Sequence, residues 1–578
     1  MARRTKTPRP APAVRASVAK PDPSYLPALT AAAAIAVACA PVLAHDSLHQ
    51  VSDVWAWMHY LASFVQALGE GDLYPRWIAE GNHGFGSPAF ILFPPLAYYG
   101  AALASALAGS LIAGMKIFFV AILALSGVAF YALARDWAGP GWPAALGTVA
   151  YVLLPYHILD VYQRFAVYES TAFIFFPLIL LAARRLLAGG GRWAFLGLAF
   201  AYSGLVLTHL VTGFMFSLGL GPWLAWEGRG RWSALLRPAA ALACGLGIAS
   251  IALLPAALES RHANVQWFRE MPNGDFRINF IFKDEILPVL GIKDPIKPHV
   301  LKTAHAQLLL AGVALAAAAA GARAGSTRRR DAWTLGAVAG ISYLMQLEIS
   351  TPIWRVIPQL PTIQFPWRFQ AFTVLAASLL VSLAVASLSD RGERAGRGLA
   401  VAALALAGVI NGLLSWQIAG LSPFTFDAPK MERLAKTGGW SDPATTPVAF
   451  KDYYNFRWAK VDVPTVTVLD GAVEVGVERW VSSHRRLAVA SKGGGTVVLR
   501  AFWFPGWVGT IDGSPLALSP APPYGAISFR APPGRSIVEL RFEATPVRTA
   551  ASWASALSLV VTFLAAWILP RPSAATTP

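Results

Sequence analysis

Charge is scarce in this sequence. Of its 578 residues only 14% are Asp, Glu, Lys or Arg, while 55% are hydrophobic. A soluble globular chain carries roughly 25% charge, so this composition cannot cover a water-facing surface of that size, and lipid is the alternative solvent. Cysteine is scarce too. Cys39 and Cys244 both lie in apolar runs, which argues against a disulfide framework, a zinc ribbon or a redox pair. No P-loop or Rossmann glycine fingerprint occurs. There is also no basic stripe interleaved with aromatics, so the net charge of +17 does not read as a nucleic-acid surface.

Long apolar runs are what the sequence has instead. About 20 helical residues cross about 30 Å of hydrocarbon. Runs of that kind lie at 25–44, 113–135, 142–158, 169–187, 194–209, 211–226, 238–257, 306–323, 332–348, 368–389, 398–418 and 551–570. They predict a polytopic α-helical membrane protein of about 12 spans. A further apolar stretch, 89–112, decides the topology. If the basic tail 1–24 is inside and 89–112 does not cross, one set of arginines falls on the cytoplasmic side: Arg135, Arg184, Arg185, Arg192, Arg229, Arg231, Arg237, Arg323, Arg328, Arg329, Arg330, Arg391, Arg394, Arg397 and Arg571. This is the positive-inside bias. If 89–112 crosses, every later cluster moves outside. The stretch is therefore read as in-plane or re-entrant. Pro94-Pro95 disrupts helical pairing, and Tyr98 and Tyr99 suit an interface. Val42-Leu43-Ala44 also fits a signal-peptidase site. Because 25–44 is long enough to span, it is read as a retained first helix.

The extracytoplasmic segments are then 45–112, 258–305, 349–367 and 419–550. The last is polar and rich in Gly, Pro and β-branched residues. Strand-like runs at Ala459–Val468, Val473–Val477, Thr496–Phe502 and Ser536–Phe542 are separated by Asp470-Gly471, Gly493-Gly494-Gly495, Asp512-Gly513 and Pro532-Pro533-Gly534. This predicts a β-sandwich domain of about 110–130 residues. The expected organisation is a cytoplasmic tail 1–24, a transmembrane domain 25–418, an extracytoplasmic β domain 419–550, and a final span with a short cytoplasmic tail 551–578. The expected location is a bacterial cytoplasmic (inner) membrane.

The outer loops carry the candidate chemistry. His45-Asp46-Ser47-Leu48-His49 follows the first span. If helical, Asp46 and His49 share a face. Asp46 then acts as a general base toward a hydroxyl, or holds a divalent metal with His49. Otherwise Asp46 caps a helix and the histidines are interfacial polar residues. Arg76, in Tyr74-Pro75-Arg76-Trp77, suits a phosphate at the membrane surface or simply anchors the loop. Arg164 and Glu169 mark the second outer loop, and Glu169 opens the next span. Ionisable groups at such depth are functional candidates, although a carboxylate at a helix N-terminus is also favoured by the dipole. His209 sits at a tight outer turn, either lining the same cavity or structural. Arg368, in Gln364-Phe365-Pro366-Trp367-Arg368-Phe369, begins a span on the outer side and needs an anionic partner, protein or phosphate.

Taken together, several motifs resemble one group of bacterial membrane proteins, the 6-pyruvoyl-tetrahydropterin synthase-related family. They are the Asp-x-x-His pair, Tyr-Pro-Arg-Trp, Gly84-Phe85-Gly86-Ser87-Pro88 with its following Pro-Pro-Leu, and Gln-Phe-Pro-Trp-Arg-Phe. The set is similar to the YfhO-like branch of the glycosyltransferase C superfamily, and Phe504-Pro505-Gly506-Trp507 with Asp512-Gly513 resembles that branch's C-terminal β-domain motif. The pterin part of the name implies nothing here, because such synthases use a His-x-His zinc site and this sequence has none. The resemblance implies a glycosyltransferase that takes a sugar from a polyprenyl-phosphate-linked donor to a glycan or protein acceptor on the outer face. By position, it implies Asp46 as the catalytic acidic residue, in a low-dielectric pocket beside an arginine-held phosphate, and Glu169 as a second. His49, Arg76, Arg164, His209 and Arg368 are the expected substrate-binding residues. No cofactor is required by this reading, and a divalent metal is left open. The alternatives are a transporter or flippase of lipid-linked sugars, or a non-catalytic envelope-assembly protein.

Overall fold

The computed structural model describes residues 25–49, 53–271, 274–283, 286–287, 292–293, 296–389, 397–420, 427–437, 441–450, 452 and 463–569. The basic tail 1–24, Arg391, Arg394, Arg571 and the start of the expected strand at 459–462 lie outside them.

In lipid every backbone polar group needs an internal partner, so the apolar runs become helices. Among the described residues, those of eight residues or more are α1 Leu26–Leu43, α2 Val54–Gly69, α3 Leu96–Ala108, α4 Leu111–Trp137, α5 Trp142–Leu153, α6 Pro155–Tyr162, α7 Val167–Leu187, α8 Arg192–Thr208, α9 Leu210–Gly228, α10 Leu236–Ile248, α11 Ser250–Glu259, α12 Lys297–Gly321, α13 Thr327–Leu344, α14 Gln370–Ser389, α15 Arg397–Gly420, α16 Ala428–Thr437 and α17 Pro546–Ile568. Each of the expected spans falls on a helix or a bent pair. Among the described residues, seven helices are long and apolar enough to cross a membrane, or nine if each bent pair is one span. Three expected spans fall short. α8 has 17 residues, α9 is diluted by glycines, and α13 opens on Thr-Arg-Arg-Arg-Asp.

The bends have local causes. Pro155 cannot continue the hydrogen bonding of α5, and α6 departs from it by 40°. α10 and α11 break by 65°. The stretch 89–112 is split at Pro94-Pro95 into a four-residue turn and the 13-residue α3, and neither reaches the roughly 20 residues of a span. Gly109 (φ +68°) then reverses the chain into α4, and Gly114 lets α3 sit close, since a Cβ there would meet Ser105 Cα at 2.3 Å. α2 is a helix the sequence reading left inside a loop.

Charge sorts to the two ends of the bundle. Where α4, α7 and α9 end and α13 begins, Arg184 and Arg185 pair with Asp136, Arg330 pairs with Glu227 and Asp331, and Trp137 Nε1 donates to Asp331 at 2.8 Å. At the other end lie the starts of α4, α7, α12 and α14, the long connectors and the β domain.

That domain is not a sandwich. Strands β1 Val466–Val481, β2 His484–Phe502, β3 Trp507–Ile511, β4 Ser514–Leu516, β5 Ser519–Ala521, β6 Ala526–Ala531 and β7 Gly534–Phe542 form one seven-stranded antiparallel sheet of order β4-β3-β7-β2-β6-β5, with β1 also on β2. The reason is visible at two expected turns. Gly471 and Gly495 are register partners inside β1 and β2, and the pairing slips immediately beyond them. The glycines bulge and bend a continuous ribbon instead of ending its strands. One half of β2 therefore pairs with β7 and the other half with β6. Asp512-Gly513 does turn, both residues having positive φ (49° and 82°), as a two-residue hairpin requires.

The first long connector is part of this domain's core. Trp77 is buried against Trp507 and Phe542, with ring centroids 5.5 and 5.1 Å away. Phe85 stacks on Phe502 at 5.0 Å, and its carbonyl accepts from Phe502 N. Gly86 has no room for a side chain, since a Cβ would lie 2.5 Å from the Trp77 ring. Glu70, at the end of α2, accepts from Ser482 N at 2.7 Å. Below the sheet, Arg548 of α17 is 1% exposed. It donates to Glu259 at 2.9 Å and to the carbonyls of Pro505 (2.7 Å) and Glu543 (3.1 Å).

Two consequences are measurable. Trp77→Ala should cost roughly 3–5 kcal/mol, read as a lower denaturation midpoint in detergent and faster proteolytic release of the sheet. An unchanged midpoint would show the seam is not structural. Arg548→Met alone strands a buried carboxylate and should cost about 3–5 kcal/mol. Adding Glu259→Met should restore much of that loss, whereas a double variant no more stable than the single would refute the pairing.

Candidate functional site

Glu169 stands in the first turn of α7 and is 2% exposed. Around it converge the end of α6, the α8–α9 junction and the approach to α14. Arg164, on the connector between α6 and α7, donates to Glu169 Oε2 at 2.9 Å, to Asp160 Oδ1, and to the Tyr156 hydroxyl at 3.0 Å. Tyr156 donates to the other Glu169 oxygen at 2.8 Å. Arg368 brings its Nε to 3.5 Å from Glu169 Oε2 and donates to Ile363 O at 2.8 Å. Two guanidinium groups thus face two carboxylates, and the charges cancel.

The arrangement follows from local sequence. The bend at Pro155 turns α6 so that Tyr156, Asp160 and Arg164 follow one another at four-residue spacing along one face. Phe165 then holds φ +52° to reverse the chain into α7, and Gln364 holds φ +64° ahead of Arg368. Non-glycine residues with positive φ are uncommon and persist only where surrounding contacts impose them. At Gln364 the side chain donates to Phe268 O, and the carbonyl accepts from Asn279 at 3.1 Å. An aromatic wall adjoins the charges. Tyr168 stacks on His209 at 5.8 Å and on Phe93 at 6.1 Å, and its hydroxyl is hydrogen-bonded to that of Tyr98.

The cluster is not saturated. Among the described residues, Asp160 Oδ2 and Arg368 Nε are buried without a hydrogen-bond partner. Buried polar atoms are paired in the great majority of cases; these two are exceptions, although Arg368 Nε keeps its 3.5 Å ion pair with Glu169. Arg368 supplies donors in the planar geometry that matches phosphate or carboxylate.

Of the sequence candidates, Glu169, Arg164, Arg368 and His209 come together here. Asp46 does not have the expected low-dielectric surroundings, because its side chain is exposed. Past the end of α1 the chain runs in bends, and it is Ser47, Leu48 and His49 that turn inward. Asp46 and His49 therefore do not share a helical face. His49 packs edge-on against Tyr162 at 4.9 Å. Burial, with His45 nearby, lowers its imidazole to about 4, so it is neutral near pH 7 and is no cation for a phosphate. Arg76 belongs to a separate group. It lies over the Tyr74 ring at 4.3 Å. Burial lowers its pKa, and the nearby Tyr74, Glu259 and Asp72 oppose that.

Three residues escaped the sequence reading. Tyr156 and Asp160 complete the cluster, and their four-residue spacing to Arg164 was the available signal. Placing the end of a span at 158 hid it by treating Asp160 as loop. The third is Asp53, at the start of α2, whose charge reaches Arg368 and Tyr168. Among the described residues, no group of three or more His, Cys, Asp or Glu side chains is arranged to hold a metal ion.

Comparison with solved structures finds distant likenesses. The arabinofuranosyltransferase AftD from Mycobacteria matches at TM-score 0.41 and 15% identity, over 69% of this chain and 27% of that one. ArnT from Cupriavidus metallidurans bound to undecaprenyl phosphate matches at TM-score 0.31 and 13% identity, over 64% of this chain and 79% of that one. No curated protein matches. A family model described as a 6-pyruvoyl-tetrahydropterin synthase related domain, membrane protein, matches residues 90–419. That is more than half of the sequence, and the chain belongs to the 6-pyruvoyl-tetrahydropterin synthase-related family of membrane proteins.

Proposed function

We propose that this chain is a membrane glycosyltransferase that moves a sugar from a polyprenyl-phosphate-linked donor to an acceptor on the extracytoplasmic face. The observation that carries the reading is the buried, charge-balanced but unsaturated group of Arg164, Arg368, Asp160 and Glu169 where the helix ends meet the connectors. In this reading the chain crosses the membrane 12 times with both termini inside, at about 20 residues per crossing. The arginine-rich helix ends face the cytoplasm.

The lipid phosphate docks on Arg368, with Arg164 behind it. Glu169 is held by two arginines. Its role is to keep the guanidinium groups in place and neutral as a set when the donor is absent. The base is a carboxylate of the first connector. Asp46 is the residue the family resemblance implies, and Asp53 is the one whose charge reaches Arg368. As the acceptor oxygen bonds to the anomeric carbon, its proton passes to that carboxylate. The bond from the anomeric carbon to the phosphate oxygen breaks, and the electron pair stays on the phosphate, where Arg368 stabilises it. The aromatic wall of Tyr168, His209 and Phe93 offers a face for the sugar ring. Alternating access by a transporter would call for inverted repeats as well as a discontinuous helix at the site, and of these the break at Pro155 supplies the second alone. The sequence carries no visible repeat, and its long outer segments suit an enzyme better.

Arg368→Ala should lower transfer by about 10²–10³-fold. Whichever of Asp46→Asn and Asp53→Asn removes the base should lower it by about 10²–10⁴-fold, with melting unchanged in both. The measurement is mass spectrometry of lipid-linked sugars and envelope glycans in cells carrying each variant, the wild type or no copy. A glycan profile that is the same with and without the protein would sink the transferase reading.

A further inference from the structure

A second feature runs along the bundle from the end opposite the charge cluster as far as Leu153 and Leu154, just ahead of α6. α15 is peripheral. Its buried residues are Ala407, Asn411, Ser415 and Ile418, a single narrow stripe. Its far half is pinned, with Asn411 donating to Ala306 O at 2.9 Å and Ser415 to Leu153 O at 2.6 Å. Toward Arg397 it stands off α5, and a crevice of about 460 Å³ opens between α5, α14 and α15. Val149, Leu153, Val381, Val401 and Leu404 are among its walls, and Gly408 and Gly412 add no side chain to them. Among the described lining residues, Arg397 is the one that carries charge.

We propose that this crevice holds an acyl chain of an anionic glycerophospholipid whose phosphate pairs with Arg397. From Arg397 to Gly412 the lined face of α15 runs about 22 Å at 1.5 Å per residue. That exceeds the roughly 15 Å of hydrocarbon in one leaflet, so a full chain fits lengthwise. Bilayer lipid is as apolar as the crevice walls, so the tail by itself gains little by entering. The headgroup supplies the preference, as in other basic pockets between transmembrane helices. The tail of a polyprenyl-phosphate donor is a poorer match. α14 separates Arg368 from this end by about 30 Å at 1.5 Å per residue, and a phosphate held at Arg368 cannot also meet Arg397. The inference does not rest on the transferase reading.

The test uses the full chain in nanodiscs with equal phosphatidylglycerol and phosphatidylcholine, released for native mass spectrometry. The wild type should retain one phosphatidylglycerol with about a five-fold preference, as expected for one arginine near a headgroup. Arg397→Gln should keep a lipid but lose the preference. Gly408→Leu/Gly412→Leu, which fills the crevice, should retain none while melting no lower than the wild type. A wild type with no retained lipid, no headgroup preference or retained polyprenyl phosphate instead would overturn the proposal. So would lipid retained by the double-leucine variant.

Discussion

Two guanidinium groups and two carboxylates are removed from water at one end of this bundle, and they must neutralise one another. An isolated charge there would cost several kcal/mol, so each member holds the others to ionised geometry. Arg164 sits between Asp160 and Glu169, Arg368 approaches Glu169 from the turn just ahead of α14, and Tyr156 fills the remaining Glu169 oxygen. The groups come from three places in the chain. Pairing them fixes how α6 is aimed, where α7 begins and how α14 is entered. The positive φ angles at Phe165 and Gln364 are the local cost of that arrangement.

A balanced cluster would be inert if it were complete. Here one carboxylate oxygen and one guanidinium nitrogen are left without hydrogen bonds among the described residues. A site that is neutral at rest but still holds donor capacity can accept an anionic group without importing an uncompensated charge. The aromatic wall next to it raises the value of that capacity, because interactions between charges strengthen where water is excluded.

The sheet domain reaches the bundle through side chains that interlock. The connector after α2 gives Trp77 and Phe85 to the core of the sheet, and α17 gives Arg548 to a carboxylate of α11. The domain is therefore tied to the same connectors that lead from α1 and α2 toward the charge cluster. A loop with its own hydrophobic anchors in a folded domain loses little entropy when it meets a substrate.

Much of this was legible in the linear chain. Scarce charge and long apolar runs established a membrane bundle, and Pro94-Pro95 marked the point where the stretch 89–112 breaks. Glu169, Arg164 and Arg368 stood out because ionisable residues beside apolar runs are costly to bury. Other features depended on contacts between distant residues. Asp160 looked like a loop residue until the bend at Pro155 turned α6, and Asp46 looked buried until the next three residues took the inward positions. Glycines that signal turns also signal bulges, and only the strand pairing separates the two, so a sandwich was expected where one bent sheet formed. Composition and periodicity decide which segments leave water. Which distant side chains then face each other is decided by packing, because pairs such as Arg368 with Glu169 and Trp77 with Trp507 are far apart in the chain.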